Sequence, residues 1–82
     1  MWGTLRCVLY DEEVNAQVSP SGRPIGWVWR EASYTVTRVL GEWQAPGEVR
    51  LLRVGVRTES GPGVAELAVA AEGRTRLRQL WT

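Results

Sequence analysis

Five arginines in the C-terminal half of the sequence have the residue type and spacing to bind an anion. Arg53 and Arg57 fall on one predicted strand, and Arg74, Arg76 and Arg78 fall on another. A guanidinium group presents a planar fork of hydrogen-bond donors that matches a phosphate, so a row of arginines is a candidate nucleic-acid-binding site. We name these five residues the arginine face.

The apolar residues between these arginines predict which way the arginines point. Leu52, Val54 and Val56 alternate with the arginines of the first strand, and Leu77 and Trp81 alternate with those of the second. Side chains alternate between the two faces of a strand, so inward apolar residues send the arginines outward on one surface of a single sheet. The alternative is that these arginines form only the solvated outer face of an antiparallel sheet.

The distribution of charge is consistent with an anion facing the C-terminal half. Residues 1–48 carry four arginines and six acids, whereas residues 49–82 carry six arginines and three acids, for a net charge of +1 overall. A mildly basic half attracts anions weakly. Glu66 is the main acid expected near the arginine face. Trp2 and Trp43, if exposed, could stack on bases.

Most catalytic chemistries are excluded by residues that the sequence lacks. There is no His and no Lys, and Cys7 is the only cysteine. These absences exclude Ser-His and Cys-His pairs, the usual zinc sites within one chain, lysine Schiff bases and the lysine of the phosphate-binding loop. We therefore expect no enzyme activity, no cofactor and no metal. Leu5, Cys7 and Leu9 are predicted to share one inward, apolar face of a strand. Cys7 should then be a small buried hydrophobe, and its thiol should be unreactive because burial disfavours the thiolate.

One acidic run keeps a third class of function open. Asp11, Glu12 and Glu13 are adjacent and could hold a hard cation such as Mg²⁺. Adjacent acids in a polar break between strands are usually just solvated, so an enzyme or metal-dependent protein is the least favoured alternative.

The pattern along the chain predicts a single all-β domain over residues 1–82. Short runs with period-two alternation, separated by Gly, Pro and charged breaks, are typical of a small antiparallel sheet or a partly open barrel of about six or seven short strands. The predicted strands cover residues 2–10, 14–18, 25–29, 34–40, 49–58, 64–71 and 74–81. The breaks include an irregular segment at 41–48, a loop at 60–63 and a tight two-residue turn at Glu72-Gly73.

Large side chains must supply the core of so small a domain, because an 82-residue chain buries a limited share of its surface. The predicted core consists of Trp27, Trp29, Tyr34, Val36, Leu52, Val54, Leu67, Leu77 and Trp81. The N-terminus lacks a secretory pattern, and no stretch approaches the roughly 18 apolar residues of a membrane span. We expect a cytoplasmic protein with no membrane partner.

Several motifs resemble those of a known bacterial family. They are YDEEV at 10–14, GRP at 22–24, WVWR at 27–30, YTVTRVLGEW at 34–43, AEL at 65–67, RTRL at 74–77 and WT at 81–82. Together they resemble a small bacterial domain of unknown function that occurs free-standing and at the C-terminus of ImuB-type proteins. ImuB-type proteins are similar to Y-family DNA polymerases but lack catalytic activity.

The resemblance implies a context rather than a mechanism. It implies a link to DNA repair or translesion synthesis, and the family has no established activity. The sequence departs from the family pattern at Glu31, where the family commonly has Gly, and at Ala65, Thr75 and Thr82, which replace an aromatic, a Trp and an Asp.

Two functions are favoured over an enzyme or metal-dependent protein that uses the acidic run. The favoured one is a non-catalytic accessory or interaction module with a protein partner. The alternative is a nucleic-acid-binding domain that uses the arginine face: Arg53, Arg57, Arg74, Arg76 and Arg78. An exposed apolar patch would favour the protein partner, and clustered exposed arginines would favour nucleic acid.

Overall fold

Six antiparallel strands form a closed barrel in the computed structural model, which describes residues 7–81 and side chains from Leu9 onward. Each strand pairs with the next along the chain, and the first pairs with the last. The all-β antiparallel prediction is confirmed, and the sheet closes fully. The strands are β1 (Cys7–Val18), β2 (Pro24–Trp29), β3 (Ala32–Ala45), β4 (Val49–Thr58), β5 (Gly61–Val69) and β6 (Thr75–Trp81).

Two loops with the same hydrogen bonding join β1 to β2 and β5 to β6. In the second loop, the Ala70 amide donates to the Arg74 carbonyl and the Gly73 amide donates to the Ala70 carbonyl. Gly73 has a φ of 95°, a conformation that glycine adopts without steric cost. The predicted two-residue turn at Glu72-Gly73 is therefore wrong, because this loop has three residues, 71–73.

The turn between β2 and β3 has an unusual backbone conformation. Arg30 and Glu31 have φ values of 51° and 65°, so both central residues are left-handed, as in a type I′ hairpin turn. Such turns favour Asn and Gly, because a side chain at positive φ is strained. Glu31 is the position at which the resembled family commonly has Gly.

The core lies where strand alternation predicts it. Trp27, Trp29, Leu52, Val54, Leu67 and Leu77 are buried as expected, with Val14, Val56, Ala65, Val69 and Leu80 beside them. Tyr34 and Val36 are partly buried and pack against this core. Trp27 stacks on Tyr34 with ring centroids 5.3 Å apart, and the Trp29 ring meets the Tyr10 ring edge-on at 4.5 Å.

Charged side chains cover parts of the outer surface of the barrel. Arg50 Nη1 donates to Glu42 at 3.3 Å, and its Nη2 donates to the carbonyl of Gly22, in the loop between β1 and β2. Arg30 Nη2 donates to Glu12 at 2.8 Å, and the Arg30 guanidinium lies 4.4 Å from the Trp29 ring centroid. Packed apolar side chains fill the barrel interior, so the surface open to a ligand is the outer one.

Three predicted breaks lie at least partly within strands. The acidic run 11–13 lies within β1, most of 41–48 belongs to β3, and Gly61 to Gly63 begin β5. Polar or irregular composition did not end these strands, because each segment pairs with a neighbouring strand along one side, which holds its backbone extended. Leu9, predicted to face inward, is 71% exposed. The prediction of a buried Cys7 concerns a side chain outside the described part, as do those for Leu5 and Trp2.

Register shifts bend the barrel and change which residues face outward. On β6, Leu77 pairs with Leu67 and Gln79 pairs with the adjacent Glu66, so Arg78 is an extra residue. This bulge reverses the alternation, and Leu80 becomes the buried residue while Trp81 is only half-buried. The prediction that Trp81 belongs to the core is therefore wrong. Two further shifts occur on β3, between Val36 and Arg38 and between Val39 and Gly41.

Within residues 7–81, no helix is long and apolar enough to cross a membrane.

Candidate interaction surface

A row of four residues in register crosses the outer surface of β3, β4, β5 and β6. Gly41 pairs with Arg53, Arg53 with Glu66, and Glu66 with Gln79. Arg53 points outward because its neighbours Leu52 and Val54 are fully buried. The row thus places a cation, an anion and an amide side by side on the outside of the barrel.

Two tryptophans flank the arginine of this row. The Arg53 guanidinium carbon lies 5.6 Å from the Trp43 ring centroid and 5.0 Å from the Trp81 ring centroid. The Trp43 ring also covers Gly41, since a Cβ added to Gly41 would lie 2.8 Å from Cη2 of Trp43. A glycine here lets the ring lie against the strand. Cation–π contacts of this kind hold both rings in place on the surface.

These side chains form an exposed apolar patch. Leu40 is 45% exposed and Trp43 is 48% exposed, and a shallow pocket of about 310 Å³ is lined by Leu40, Arg53, Val64 and Trp81. Clusters of exposed large apolar side chains mark binding sites more often than single ones do. We name the set the tryptophan patch: Leu40, Trp43, Arg53, Val64, Glu66 and Trp81.

The centre of the tryptophan patch is electrically balanced. Arg53 Nη2 donates to Glu66 Oε1 at 3.2 Å, and the Glu66 side chain is only 13% exposed. Arg53 Nε is buried and has no acceptor among the described residues. A buried donor without a partner costs about 1–3 kcal/mol. The Arg53 position is therefore held by the flanking rings and Glu66 at some cost in hydrogen bonding.

Two arginines on the rim of the patch carry charge that is not balanced locally. Arg38 is paired with Gly55 across the β3–β4 ladder, and its Cγ would lie 3.5 Å from a Cβ at Gly55. Arg57 is exposed two residues beyond Gly55 on β4. None of the ion pairs formed within residues 7–81 includes either arginine. The patch thus combines an apolar centre with a positive rim.

A groove adjoins the patch on the side of the β3–β4 hairpin. It has a volume of about 500 Å³ and is lined in part by Leu9, Pro46, Leu51, Ala68 and Arg78. Trp43 pairs with Leu51, and Gln79 lines the groove as well as ending the row described above. The outer surface therefore continues from the tryptophan patch into a second concave region.

The arginine face is outward but divided. Arg74 lies 3.9 Å from Glu72, and Arg76 Nε donates to Asp11 at 2.9 Å. The hydrogen bond to Asp11 raises the pKa of Arg76. These two arginines lie towards the β5–β6 hairpin.

The other three arginines of the face belong to the surface described above. Arg53 lies within the patch, Arg57 on its rim and Arg78 in the groove. Arg78, like Arg57, is in none of the ion pairs of the described residues.

The acidic run does not converge on a metal site. Asp11 bonds Arg76, and the two carboxylate oxygens of Glu12 accept from Trp29 Nε1 and from Arg30. The described residues contain no group of three or more His, Cys, Asp or Glu side chains placed to hold a metal ion. These acids instead connect β1 to β6 and to the β2–β3 turn.

Sequence reasoning missed part of this surface. Trp43 was a candidate for stacking if exposed, and it is exposed, but Trp81 and Leu40 were not assigned to a site. Leu40 is the extra residue of a β3 register shift, and Trp81 follows the bulge on β6. Simple alternation could not locate either residue, because both lie where the alternation is interrupted.

Comparison with known proteins gave no match to a family model, a curated protein or a solved structure. The resemblance to the ImuB-associated domain therefore stays a prediction.

Proposed function

We propose that this chain is a non-catalytic interaction module that binds a protein partner through the tryptophan patch. The observation that carries the proposal is the exposure of Leu40 and Trp43 next to the half-buried Trp81 on one outer surface. Tryptophan and arginine are the residues most enriched among those that dominate binding energy at protein interfaces. Here Arg53 and both tryptophans are already held in one arrangement, which lowers the entropy lost on binding.

The closed barrel limits how a partner can be recognised. Every strand has a neighbour on both sides, and the backbone left for a partner strand is limited to stretches such as residues 36–45 of β3, which pair with β4 but not with β2. Recognition in this proposal comes from side chains on the outer surface. Among the exposed large apolar side chains of the described residues, Trp43 is the aromatic one, and it lies in the tryptophan patch.

The resemblance described above supplies a biological setting for the proposal. If the chain acts as the ImuB-associated domain is expected to act, its partner belongs to the DNA repair or translesion synthesis machinery.

Site-specific photo-crosslinking in the native host tests the proposal. A photoreactive phenylalanine analogue replaces Leu40 in the patch or, as a matched control, Gln17, an exposed residue of β1. We expect a discrete protein adduct from position 40 that is absent from position 17 and is lost when Trp43→Ser is added. Identical adducts from the two positions, or no adduct from position 40, would refute a protein-binding patch.

Single-stranded nucleic acid is the second candidate ligand. Arg57 and Arg78 are exposed without an ion pair in the described part of the chain, and Trp43 offers a ring on which a base could stack. Fluorescence anisotropy with a labelled oligothymidylate tests this candidate. Binding should weaken with salt, with a log–log slope of about −0.7 per phosphate contacted, and should fall when Arg53, Arg57 and Arg78 become Gln. Absence of binding at low salt would remove this candidate.

A further inference from the structure

We infer that the tryptophan patch recognises an acidic peptide segment with one large apolar anchor side chain, an inference that rests on the proposed function. The apolar centre selects the anchor, and the positive rim selects the acids beside it. The two features come from different residues and can be tested separately.

The size of the pocket favours a single anchor. Its volume of about 310 Å³ is at the lower end of the range for small-molecule sites, about 300–1,000 Å³. The apolar walls come from Leu40, Val64 and Trp81. A leucine or aromatic side chain entering between them would complete the burial of Trp81 and Leu40, which is where interface energy concentrates.

The position of the charges predicts where the acids of the partner bind. Glu66 already neutralises Arg53, so a carboxylate brought to the centre of the patch would be repelled by Glu66. Arg38 and Arg57 lack such a partner in the described residues. The register pairs Arg38 with Gly55, which pairs with Val64, and places Arg57 opposite Pro62, two residues further along β4. Acids flanking the anchor should therefore pair with the rim, which adds specificity and speeds association.

Selection from a displayed library of random 12-residue peptides provides the first test. With the wild-type protein as bait, we expect enrichment of peptides that combine Trp, Phe or Leu with Asp or Glu within a few positions. Trp43→Ser and Arg57→Glu baits should not enrich them. A Gln17→Glu bait carries an added negative charge away from the patch and should enrich the same peptides as the wild type.

Synthetic versions of the enriched peptides provide the quantitative test. We expect Arg57→Glu and Arg38→Glu each to weaken binding by about fivefold to tenfold and to reduce its salt dependence. Replacing the acids of the peptide by Asn or Gln should have a similar effect on the wild-type protein. Far-UV circular dichroism and urea midpoints confirm that each variant is folded.

Several outcomes would overturn the inference. Enrichment of basic or uncharged peptides would do so, as would equal binding to the wild type and to Arg57→Glu, or enrichment of no peptide at all. Oligothymidylate that displaces the peptides with higher affinity would assign the rim to nucleic acid instead. A position-specific adduct at residue 40 together with any of these results would leave the interaction module standing and reject only the acidic partner.

Discussion

Replacing Leu80 or Trp81 by glutamine tests whether the bulge at Arg78 sets the faces of β6. Strict alternation from Leu77 would bury Trp81 and expose Leu80, whereas the structure buries Leu80 to 6% exposure and leaves Trp81 on the outer surface. The two variants place the same polar side chain at adjacent positions. If the bulge is present, Leu80→Gln should be the less stable of the two variants. Under strict alternation, Trp81→Gln should be the less stable one.

The structure predicts the larger cost at Leu80. Losing the burial of a leucine costs about 1.5–3 kcal/mol, and a buried amide without partners adds about 1–3 kcal/mol, for about 2.5–6 kcal/mol in all. Trp81 is half-buried, so its replacement forfeits about 100 Å² of buried area at about 25 cal/mol per Å², part of which the glutamine stem restores. We expect Trp81→Gln to cost about 2 kcal/mol or less.

Urea denaturation followed by far-UV circular dichroism measures both free energies of unfolding. A chain of 82 residues has a total stability of about 4–12 kcal/mol, so Leu80→Gln could leave too little folded protein to measure. In that case the free energy of unfolding is measured for Leu80→Ala instead, with an expected loss of about 2–5 kcal/mol. A Trp81→Gln variant that is destabilised more than the Leu80 variants would refute the bulge and restore simple alternation.

Three further predictions concern the aromatic core and the β2–β3 turn. Trp29→Ala should lower the free energy of unfolding by about 3–5 kcal/mol, because the ring is buried against Tyr10, and near-wild-type urea stability would contradict its place in the core. Glu31→Gly should raise the free energy of unfolding by about 0.5–1 kcal/mol, and the thermal midpoint with it, because glycine adopts the φ of 65° at this position without strain. The control Glu31→Ala should not raise either quantity, because alanine is also strained at positive φ. Burial raises the pKa of Tyr34, and electrostatic repulsion from Tyr10 raises it further. Tyr34 therefore ionises at a lower pH in the unfolded chain than in the folded protein. Stability is lost as the pH rises from about 10, the unfolded pKa, through the folded pKa. Tyr34→Phe should therefore show a smaller fall in urea midpoint between about pH 8 and about pH 11, and an unchanged fall would count against this burial effect.

Alternation within single strands was predictable from the sequence wherever the ladder is regular. The predicted strand 49–58 coincides with β4, and Leu52, Val54 and Val56 are buried on its inner side. The same reasoning correctly turned Arg53 and Arg57 outward. It succeeded because burial on one face imposes a period of two that depends only on neighbouring residues.

The candidate site was only partly predictable. Arg53 was named from the sequence, and Trp43 was noted as a stacking residue if exposed. The ion pair between Arg76 and Asp11 joins residues that are 65 positions apart, and no local pattern predicts that two members of one charged surface are neutralised in this way. The division of the arginine face into a paired part and an unpaired part follows from such contacts.

The sequence by itself determined the class of fold, most of the core and the outward direction of the arginines, because these depend on composition and on alternation over a few residues. Only the tertiary structure decided that the sheet closes, that β1 runs through the acidic segment, and that Trp81 joins Trp43 on the outside. These features depend on how each strand matches two neighbours at once. Arg78 is an extra residue relative to β5 and lies opposite Tyr10 and Asp11 of β1, and this bulge reverses the face of every residue that follows it in β6.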